Sequence, residues 1–479
     1  MRRGVAALAG AAALLGLPAA AAPLAACHLE GVERDARCGT VRRPLDPAHP
    51  EAGAIDVHFA VLPALARRAL ADPVFFFAGG PGQSAIDLAG QVAALLARFS
   101  NRRDIVLVDQ RGTGRSAPLD CGDDAPGRPL AESLEPARLV AAMQACRERL
   151  RRLAWGDLRQ FTTSIAVGDF DAVRARLGAE RIDLVGMSYG TRVALEYLRQ
   201  FPGHVRRVVL DGVVPPSLVL PESGSIDAGS AFDALIAACA EDAGCRARNP
   251  DLRSRWQALL ATLPRRVVFH HPLTGVAEPL VLTREMLLGL VRAPLYVPAL
   301  ASALPAAIDT AAEGRFDALV GLASALGGSG GPRLAQGEHF SVVCAEDAPL
   351  MAAQGAGFDP GLADVYRRIC AGWPRAGLPA GFFTIPPAPV AVLLLSGGDD
   401  PATPPRHAEA AARALGSRAR LVVVAHAGHG MLGLDCLRDA AFRFVDAASD
   451  AAALAVETGC ARDVPRPGAF DPVHAADAP

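Results

Sequence analysis

Lysine is absent from the sequence: all 48 basic residues of the 479-residue chain are arginine. A uniform exclusion of lysine has no evident mechanistic use, and we attribute it, with the many alanines, to coding bias. Runs of like charge are also absent and the formal net charge is −2 at pH 7, so nothing indicates a nucleic-acid partner. Beyond the N-terminal region, no apolar run reaches the ~20 residues of a membrane-spanning helix. We therefore expect a globular chain with a sizeable core, since 51% of its residues are hydrophobic.

The first 22 residues have the pattern of a secretory signal peptide. Arg2 and Arg3 precede an apolar run at residues 5–17, and small residues at 19–22 supply an Ala-x-Ala end. The run is shorter than the ~20 residues needed to cross a bilayer, which disfavours a membrane anchor. We predict that the mature chain is exported, either secreted or periplasmic.

The ten cysteines fall into five neighbouring couples. Because export places them where disulfides persist, we predict sequential pairing: Cys27 with Cys38, Cys121 with Cys146, Cys239 with Cys245, Cys344 with Cys370, and Cys436 with Cys460. Residues 24–27 also resemble a lipoprotein cleavage box, so lipidation of Cys27 is the alternative, and it would leave Cys38 unpaired. No Cys-x-x-Cys or cysteine–histidine cluster occurs, so we predict no metal site.

Short apolar segments alternate with helical segments over the first half of the chain and again near its end. Strands are predicted at residues 38–46, 54–60, 73–78, 104–109, from 182, and at 205–210, 390–395 and 421–425. This alternation predicts an α/β fold: a mostly parallel sheet with right-handed crossovers and helices on both faces. In such a sheet the loops that follow the strands gather along one edge, where sites form.

Residues 215–386 interrupt the alternation with helical segments and Gly-Pro breaks. We predict that they form a helical lid inserted into one α/β core, which is built from residues 23–214 and 387–479. An independent second domain is the alternative interpretation of the same stretch.

The strand from residue 182 ends in Gly186-Met187-Ser188-Tyr189-Gly190, and a helical segment follows. This is the pattern of a nucleophile elbow, in which a sharp strand-to-helix turn presents a serine. Glycines at both ends let strand and helix approach closely. Taken alone, the motif is also compatible with a glycine-rich turn that carries a bystander serine, so its value depends on the partners that follow.

A serine nucleophile needs a histidine base and an acid that orients it, and after an elbow these follow in the order acid, then histidine. Asp399 and Asp400 follow the predicted strand at 390–395, and His426 and His429 follow the next one. We favour Asp400, which precedes a proline and is followed by Thr403, expected to cap a helix that starts at Pro404. We favour His429 because it lies between glycines on a loop that can reach Ser188. Asp211, after the next strand from the elbow, is the outside candidate for the acid.

An oxyanion hole needs two backbone N–H donors. Tyr189 supplies one, at the N-terminus of the elbow helix. The glycine-rich stretch Gly79-Gly80-Pro81-Gly82 follows a strand at the appropriate point of the order, and we predict that Gly80 supplies the other. A purely structural turn is the alternative.

Taken together, these motifs resemble the exported α/β-hydrolases of the prolyl aminopeptidase and tripeptidyl aminopeptidase family. The matching segments are residues 79–84, 109–114, 186–191, 210–212, 400–404 and 428–430. The resemblance implies the α/β-hydrolase fold and cleavage of a peptide near its free amino terminus. One departure is Ala78, where prolyl aminopeptidases usually carry histidine, so the chain leans towards the tripeptidyl branch.

The resemblance also implies a carboxylate near the site, because a substrate ammonium must be desolvated there. Glu346 is our candidate for substrate binding, in Cys344-Ala345-Glu346-Asp347, with a Cys344–Cys370 bridge to hold it. The alternative is a solvated carboxylate of the lid.

The sequence therefore predicts a secreted serine hydrolase, an aminopeptidase in which Ser188 attacks, His429 transfers the proton and Asp400 orients His429. Its expected substrate is a peptide or another small molecule, and no metal or organic cofactor is implied. The alternatives are an esterase or lipase with the same triad, since the fold does not fix the substrate, and a non-catalytic binding protein. Oligomeric state is not predicted.

Overall fold

The computed structural model describes residues 24–122, 127–325 and 333–470. The signal peptide predicted at residues 1–22 lies outside these ranges. The strands are β1 (Ala25–Cys27), β2 (Ala36–Pro44), β3 (Ala54–Leu62), β4 (Val74–Phe77), β5 (Ile105–Val108), β6 (Ile182–Met187), β7 (Val205–Asp211), β8 (Arg265–His270), β9 (Ala277–Leu282), β10 (Val392–Gly397) and β11 (Ala419–Val424).

Nine of these strands form one sheet, in the order β1-β2-β3-β5-β4-β6-β7-β10-β11. Strands β1 to β3 pair antiparallel, and β3 joins β5 in the same sense. From β5 to β11 every pairing in the sheet is parallel. The predicted α/β fold with a mostly parallel sheet is confirmed, and each predicted strand is present with slightly shifted ends.

Helices cover the sheet and make up most of the stretch between β7 and β10. They are α1 (Ala89–Leu95), α2 (Leu130–Leu134), α3 (Pro136–Leu150), α4 (Thr163–Arg176), α5 (Tyr189–Gln200), α6 (Glu222–Glu241), α7 (Ala243–Arg248), α8 (Leu252–Ala261), α9 (Arg284–Arg292), α10 (Pro298–Ala301), α11 (Leu304–Ala312), α12 (Asp317–Ser324), α13 (Gln336–Glu346), α14 (Pro360–Cys370), α15 (Pro405–Leu415), α16 (Asp435–Asp446) and α17 (Asp450–Leu454).

Both faces of the sheet are buried. Successive side chains of a strand point to opposite faces, so each strand contributes to the apolar cluster on either side. In β4, Phe75 and Phe77 belong to one apolar cluster with residues of α3, α4 and α5. Val74 and Phe76 belong to a second cluster with residues of α1 and α16. This explains why the parallel strands are continuous apolar runs in the sequence.

A third apolar cluster lies mostly within the insertion, with Leu130 of α2 added, and is separate from the two clusters of the sheet. Its members include Phe232, Trp256, Leu287 and Phe316. The insertion is not wholly helical, since β8 and β9 pair as an antiparallel hairpin. Along β8 buried and exposed residues alternate, but the letters Arg-Arg-Val-Val-Phe-His do not alternate between polar and apolar, so the hairpin is not evident in the sequence.

Helix α13 belongs to the stretch predicted as lid but is buried against the sheet. Phe340, Val342 and Cys344 pack in the same cluster as Phe75 and Phe77. The chain thus leaves the sheet after β7 and returns to its core well before β10.

All five predicted disulfides are present, and no free cysteine remains. The sulfur of Cys27 is bonded to Cys38, so no thiol remains there for the lipid considered as the alternative. Such a set of disulfides indicates an oxidising, extracytoplasmic location. In the part of the chain that the structure describes, no helix is long and apolar enough to cross a membrane.

Candidate active site

Ser188 occupies the turn between β6 and α5, where it is the N-cap of the helix. Its φ is +53° and its ψ is −125°, a backbone conformation that residues other than glycine rarely adopt. Its N–H donates to the carbonyl oxygen of Asp211 at 2.8 Å, which ties the turn to the end of β7. Strain of this kind costs about 1–3 kcal/mol and concentrates at functional sites.

The two elbow glycines are required by close backbone contacts. A Cβ on Gly190 would lie 2.0 Å from the carbonyl oxygen of Phe77, and one on Gly186 would lie 2.4 Å from that of Gly190. Any side chain would therefore force β4, β6 and α5 apart. A third residue of the motif, Thr191, holds the turn closed: its hydroxyl donates to the Ser188 carbonyl and accepts the N–H of Val214, both at 2.7 Å.

Asp400 and His429 follow β10 and β11, and the structure brings them together. The Nδ1 of His429 lies 2.8 Å from Oδ2 of Asp400, which is 1% exposed. Burial alone would raise the pKa of Asp400, but the charge and hydrogen bond of His429 hold it below its ordinary value. Burial alone would lower the pKa of His429, but the Asp400 carboxylate raises it above its ordinary value. The pair is thus built to stabilise an imidazolium.

The role expected for Thr403 is wrong. Helix α15 begins at Pro405 with Pro404 as its N-cap, and no side chain caps it. The Thr403 hydroxyl instead donates to Oδ2 of Asp400 at 2.7 Å and lies 3.2 Å from Nδ1 of His429. It fixes the acid directly, together with the N–H groups of Ala402 and Thr403 on Oδ1.

The other candidates for acid and base have different partners. Asp399 accepts a hydrogen bond from Arg466 at 3.0 Å, and its Oδ2 lies 4.0 Å from Nδ1 of His426. The buried Asp211 accepts the N–H groups of Met431 and Leu432, just past His429. Burial raises the pKa of Asp211 to about 6.

Ser188 and His429 each adjoin the end of β7. A Cβ on Gly212 would lie 3.1 Å from Cε1 of His429, and Ser188 is bonded to the neighbouring Asp211. No hydrogen bond between Ser188 Oγ and His429 is present among the described residues. Such bonds are often long until a substrate tightens them.

The loop predicted to complete the oxyanion hole lies against the elbow. A Cβ on Gly79 would lie 3.2 Å from the Cβ of Ser188. Gly80 has a φ of +109°, and a side chain there would clash with the backbone of Gly82. Tyr189 begins α5, so its N–H is among those left free by the helix. Gly79 thus lies against Ser188 and precedes Gly80 in the chain, and the roles of Gly80 and Tyr189 as oxyanion donors stay predictions.

Glu346 is fully buried at the end of α13 rather than exposed on the lid. Its Oε1 accepts the N–H of Thr163 at 2.8 Å and its Oε2 the Thr163 hydroxyl at 2.9 Å. Arg192 of the elbow helix lies 3.3 Å from the same oxygen and also pairs with Asp347 at 3.0 Å. Burial raises the pKa of Glu346 to about 7 and also raises that of Asp347.

A second buried carboxyl, Glu338, was missed from the sequence. Its Oε1 accepts a hydrogen bond from Gln110 at 2.5 Å, and its buried Oε2 has no partner. Burial and the neighbouring Glu346 raise its pKa well above the ordinary value. Gln110 also donates to the Tyr189 hydroxyl, which lies 2.6 Å from that of Thr163. Side chains thus connect Glu338 to Glu346 beneath the elbow. The sequence carried no signal for Glu338, because its burial follows from the packing of α13 against the core.

A cavity of about 240 Å³ contains none of the predicted site residues. It lies between α6, the segment around α10 and residues 466–469. Among the described residues, no group of three or more histidines, cysteines or carboxylates is placed to hold a metal ion. The expectation that no cofactor is needed stays a prediction.

The sequence matches a family model described as alpha/beta hydrolase fold over residues 72–434. The match includes β4 to β11 and therefore every residue of the predicted site.

Three relatives are similar to parts of the chain. A tripeptidyl aminopeptidase of Streptomyces lividans is 31% identical over 196 residues, which cover 38% of this chain and 36% of the relative. Serine protease Hip1 of Mycobacterium tuberculosis is 30% identical over 44% of this chain and 42% of its own length. Carboxylesterase B of the same species is 32% identical over 44% of this chain and 43% of its own. The matched segments span less than half the length of each relative.

Proposed function

The chain belongs to the alpha/beta hydrolase family, and from this we propose that it is an exported serine hydrolase, an aminopeptidase that releases an N-terminal residue or a short peptide such as a tripeptide. The observation that carries the proposal is the 2.8 Å contact between His429 and the buried Asp400, at the sheet edge where a strained turn presents Ser188. Export is supported by the five disulfides.

In the proposed reaction, His429 takes the proton of the Ser188 hydroxyl as Oγ attacks the scissile carbonyl. Asp400 keeps the imidazole oriented through Nδ1 and stabilises its protonated form. The N–H groups of Tyr189 and Gly80 stabilise the oxyanion, and each such donor contributes about 2.7–4 kcal/mol. His429 then gives the proton to the leaving amine, and water hydrolyses the acyl-enzyme.

The preference for a free amine is supported by an excess of buried carboxyls beneath the elbow. Glu346 and Asp347 pair with one guanidinium, that of Arg192, and Glu338 adds a third carboxyl near Glu346, so the cluster favours a further positive charge. Both oxygens of Glu346 already have partners, whereas Oε2 of Glu338 has none. We therefore propose that the substrate ammonium binds against Glu338, with Glu346 behind it supplying charge.

The names of the relatives support two substrate classes. A tripeptidyl aminopeptidase and a serine protease favour peptides, and the acidic cluster agrees with the first of these. A carboxylesterase matches a comparable share of the chain, which makes an esterase the second candidate.

The test is hydrolysis of matched fluorogenic substrates by the purified mature protein. The panel contains amino-acyl amides, the same amides acetylated on nitrogen, tripeptidyl amides and a short-chain aryl ester. Ser188→Ala is the control for background, and Glu338→Gln and Glu346→Gln test the proposed amine site.

An aminopeptidase is expected to cleave the free-amine amides, lose that activity on acetylation, and lose all activity in Ser188→Ala. The two glutamine variants are expected to raise KM for the free-amine substrates and leave the ester unaffected. Ester turnover alone, indifferent to a free amine, would replace the aminopeptidase by an esterase.

A further inference from the structure

One segment of the insertion contacts the loop that carries His429. Residues Ala293–Tyr296 form a short 3-10 helix after α9, and the carbonyl oxygen of Tyr296 accepts the N–H of His429 at 2.9 Å. This bond joins the backbone of the inserted region to the backbone of the predicted base itself.

The same contact leaves no room for a side chain on the histidine loop. A Cβ on Gly428 would lie 2.4 Å from the Tyr296 carbonyl oxygen and 2.7 Å from Cδ of Pro298. The loop therefore packs on the inserted segment at backbone distance. Its position depends on where residues 296–298 lie.

The Tyr296 ring also contacts the imidazole. The two ring centroids are 5.4 Å apart with an interplanar angle of 77°, an edge-to-face arrangement. Gly212 lies against Cε1 of His429, and Asp400 holds Nδ1. The imidazole is therefore contacted by Asp400, by the end of β7 and, from the insertion, by the Tyr296 ring.

We propose that Tyr296 is a positioning residue for His429, so that the inserted region completes the active site instead of only covering it. This inference rests on the proposed serine-hydrolase function. Tyr296 acts through the imidazole. Its ring limits rotation of the His429 side chain, and its backbone carbonyl oxygen fixes the position of the loop that carries His429. Misplacing a catalytic group by about 1 Å can cost up to about 100-fold in rate.

The experiment measures how fast Ser188 is labelled by a fluorescent fluorophosphonate, which reacts with a serine activated by its histidine and does not depend on the natural substrate. Tyr296→Ala removes the ring, Tyr296→Leu replaces it with an apolar group that cannot stack, and Tyr296→Phe keeps it. Leu273→Ala, at an exposed position between β8 and β9, is the matched control in the insertion. Thermal unfolding of each variant establishes that it is folded.

We expect Tyr296→Ala and Tyr296→Leu to label at least about tenfold more slowly than the wild type, with Tyr296→Phe and Leu273→Ala within about twofold. With the best substrate of the panel, kcat should fall more than KM rises. If Tyr296→Ala does not fold, Tyr296→Leu carries the test. Wild-type labelling rates in the folded Ala or Leu variant would overturn the inference.

Failure of the proposed function gives a different result. In that case the wild type is not labelled, or Ser188→Ala is labelled equally well. Labelling that requires Ser188 but is indifferent to the residue at position 296 contradicts only the role of Tyr296.

Discussion

The carboxylate of Asp211 accepts the backbone N–H of Met431 at 2.7 Å, and it accepts that of Leu432 at 2.8 Å. Asp211 ends β7 beside Ser188, whose N–H its carbonyl accepts, and Met431 follows the loop of His429. One residue therefore positions both the nucleophile and the base. Asp211 acts here through backbone groups, while Asp400 contacts the imidazole.

Replacement of Asp211 by alanine would leave these two buried N–H groups without acceptors. Each unsatisfied group costs about 1–3 kcal/mol, so we expect Asp211→Ala to lower the free energy of unfolding by a few kcal/mol and to slow hydrolysis by displacing His429. Urea unfolding and kcat measure the two effects. Asp211→Asn is the control: its carbonyl oxygen still accepts one N–H, and it should retain more of both properties. Equal stability in all three proteins would contradict the structural role.

Activity should depend on pH through His429, which must be neutral to accept the serine proton. Because Asp400 raises the pKa of His429 above its ordinary value of about 6.5, we expect kcat/KM to rise with pH and to reach half its maximum above about pH 6.5. A pH profile of kcat/KM on the best substrate measures this pKa in the free enzyme.

The control for this profile is Asp400→Asn, which removes the charge that favours the imidazolium. The acidic limb should then move to lower pH, while kcat falls by about 10⁴-fold because the imidazole loses its orientation. An acidic limb that stays in place in Asp400→Asn would assign the titration to another group.

Stability should fall on acidification because of His339, which is buried in α13. Its Nδ1 lies 3.1 Å from the Pro81 carbonyl and its Nε2 2.9 Å from the Tyr366 hydroxyl. Burial lowers its pKa to about 4, against about 6.5 in the unfolded chain. Between pH 4 and pH 6.5 the unfolded state binds more protons than the folded state. The contribution of His339 to the free energy of unfolding is therefore complete above pH 6.5 and is lost as the pH falls towards 4.

The buried carboxyls whose pKa is raised change the stability in the opposite direction as the pH falls. They do so equally in the wild type and in His339→Gln, so the difference between the two proteins isolates the effect of His339. We expect the wild type to lose about 3 kcal/mol more than the variant between pH 6.5 and 4, measured by urea unfolding. Parallel pH dependences in the two proteins would exclude His339 as the titrating group.

The sheet and the loops at its edge could be predicted from the sequence because both depend on local patterns. A buried parallel strand is an apolar run whatever its neighbours, and the Gly186–Gly190 motif marks the sharp turn of one strand–turn–helix unit. The sequential disulfides are likewise short-range. These features are readable before any tertiary contact is known.

The features that were missed or misassigned depend on contacts between distant segments. Thr403 looks like a helix cap, but its hydroxyl bonds Asp400 because the loop folds back on the acid. Glu338 lies at an ordinary position of α13 and becomes part of the candidate site only because α13 returns to the core beside Gln110. Tyr296 reaches His429 through the path of the inserted chain, which periodicity does not describe.

The elbow itself is tested most directly by a methyl group at Gly190. In the native arrangement that carbon would lie 2.0 Å from the carbonyl oxygen of Phe77, which is backbone of a central strand and cannot rotate away. Helix α5 must shift, and Ser188 shifts with it. We expect Gly190→Ala to destabilise the fold by at least about 3 kcal/mol, the upper range for an overpacked core, and to abolish fluorophosphonate labelling.

The matched control is Gly289→Ala, in the middle of α9, where a Cβ would meet nothing within 4 Å. That substitution should raise the free energy of unfolding by about 0.5–1 kcal/mol, because alanine loses less backbone entropy than glycine in a helix. If the close approach at the elbow requires glycine, urea unfolding will give a lower free energy of unfolding for Gly190→Ala and a higher one for Gly289→Ala. Only Gly190→Ala will then lose fluorophosphonate labelling. A Gly190→Ala protein that unfolds and labels like the wild type would mean that β4 and α5 can separate without moving Ser188.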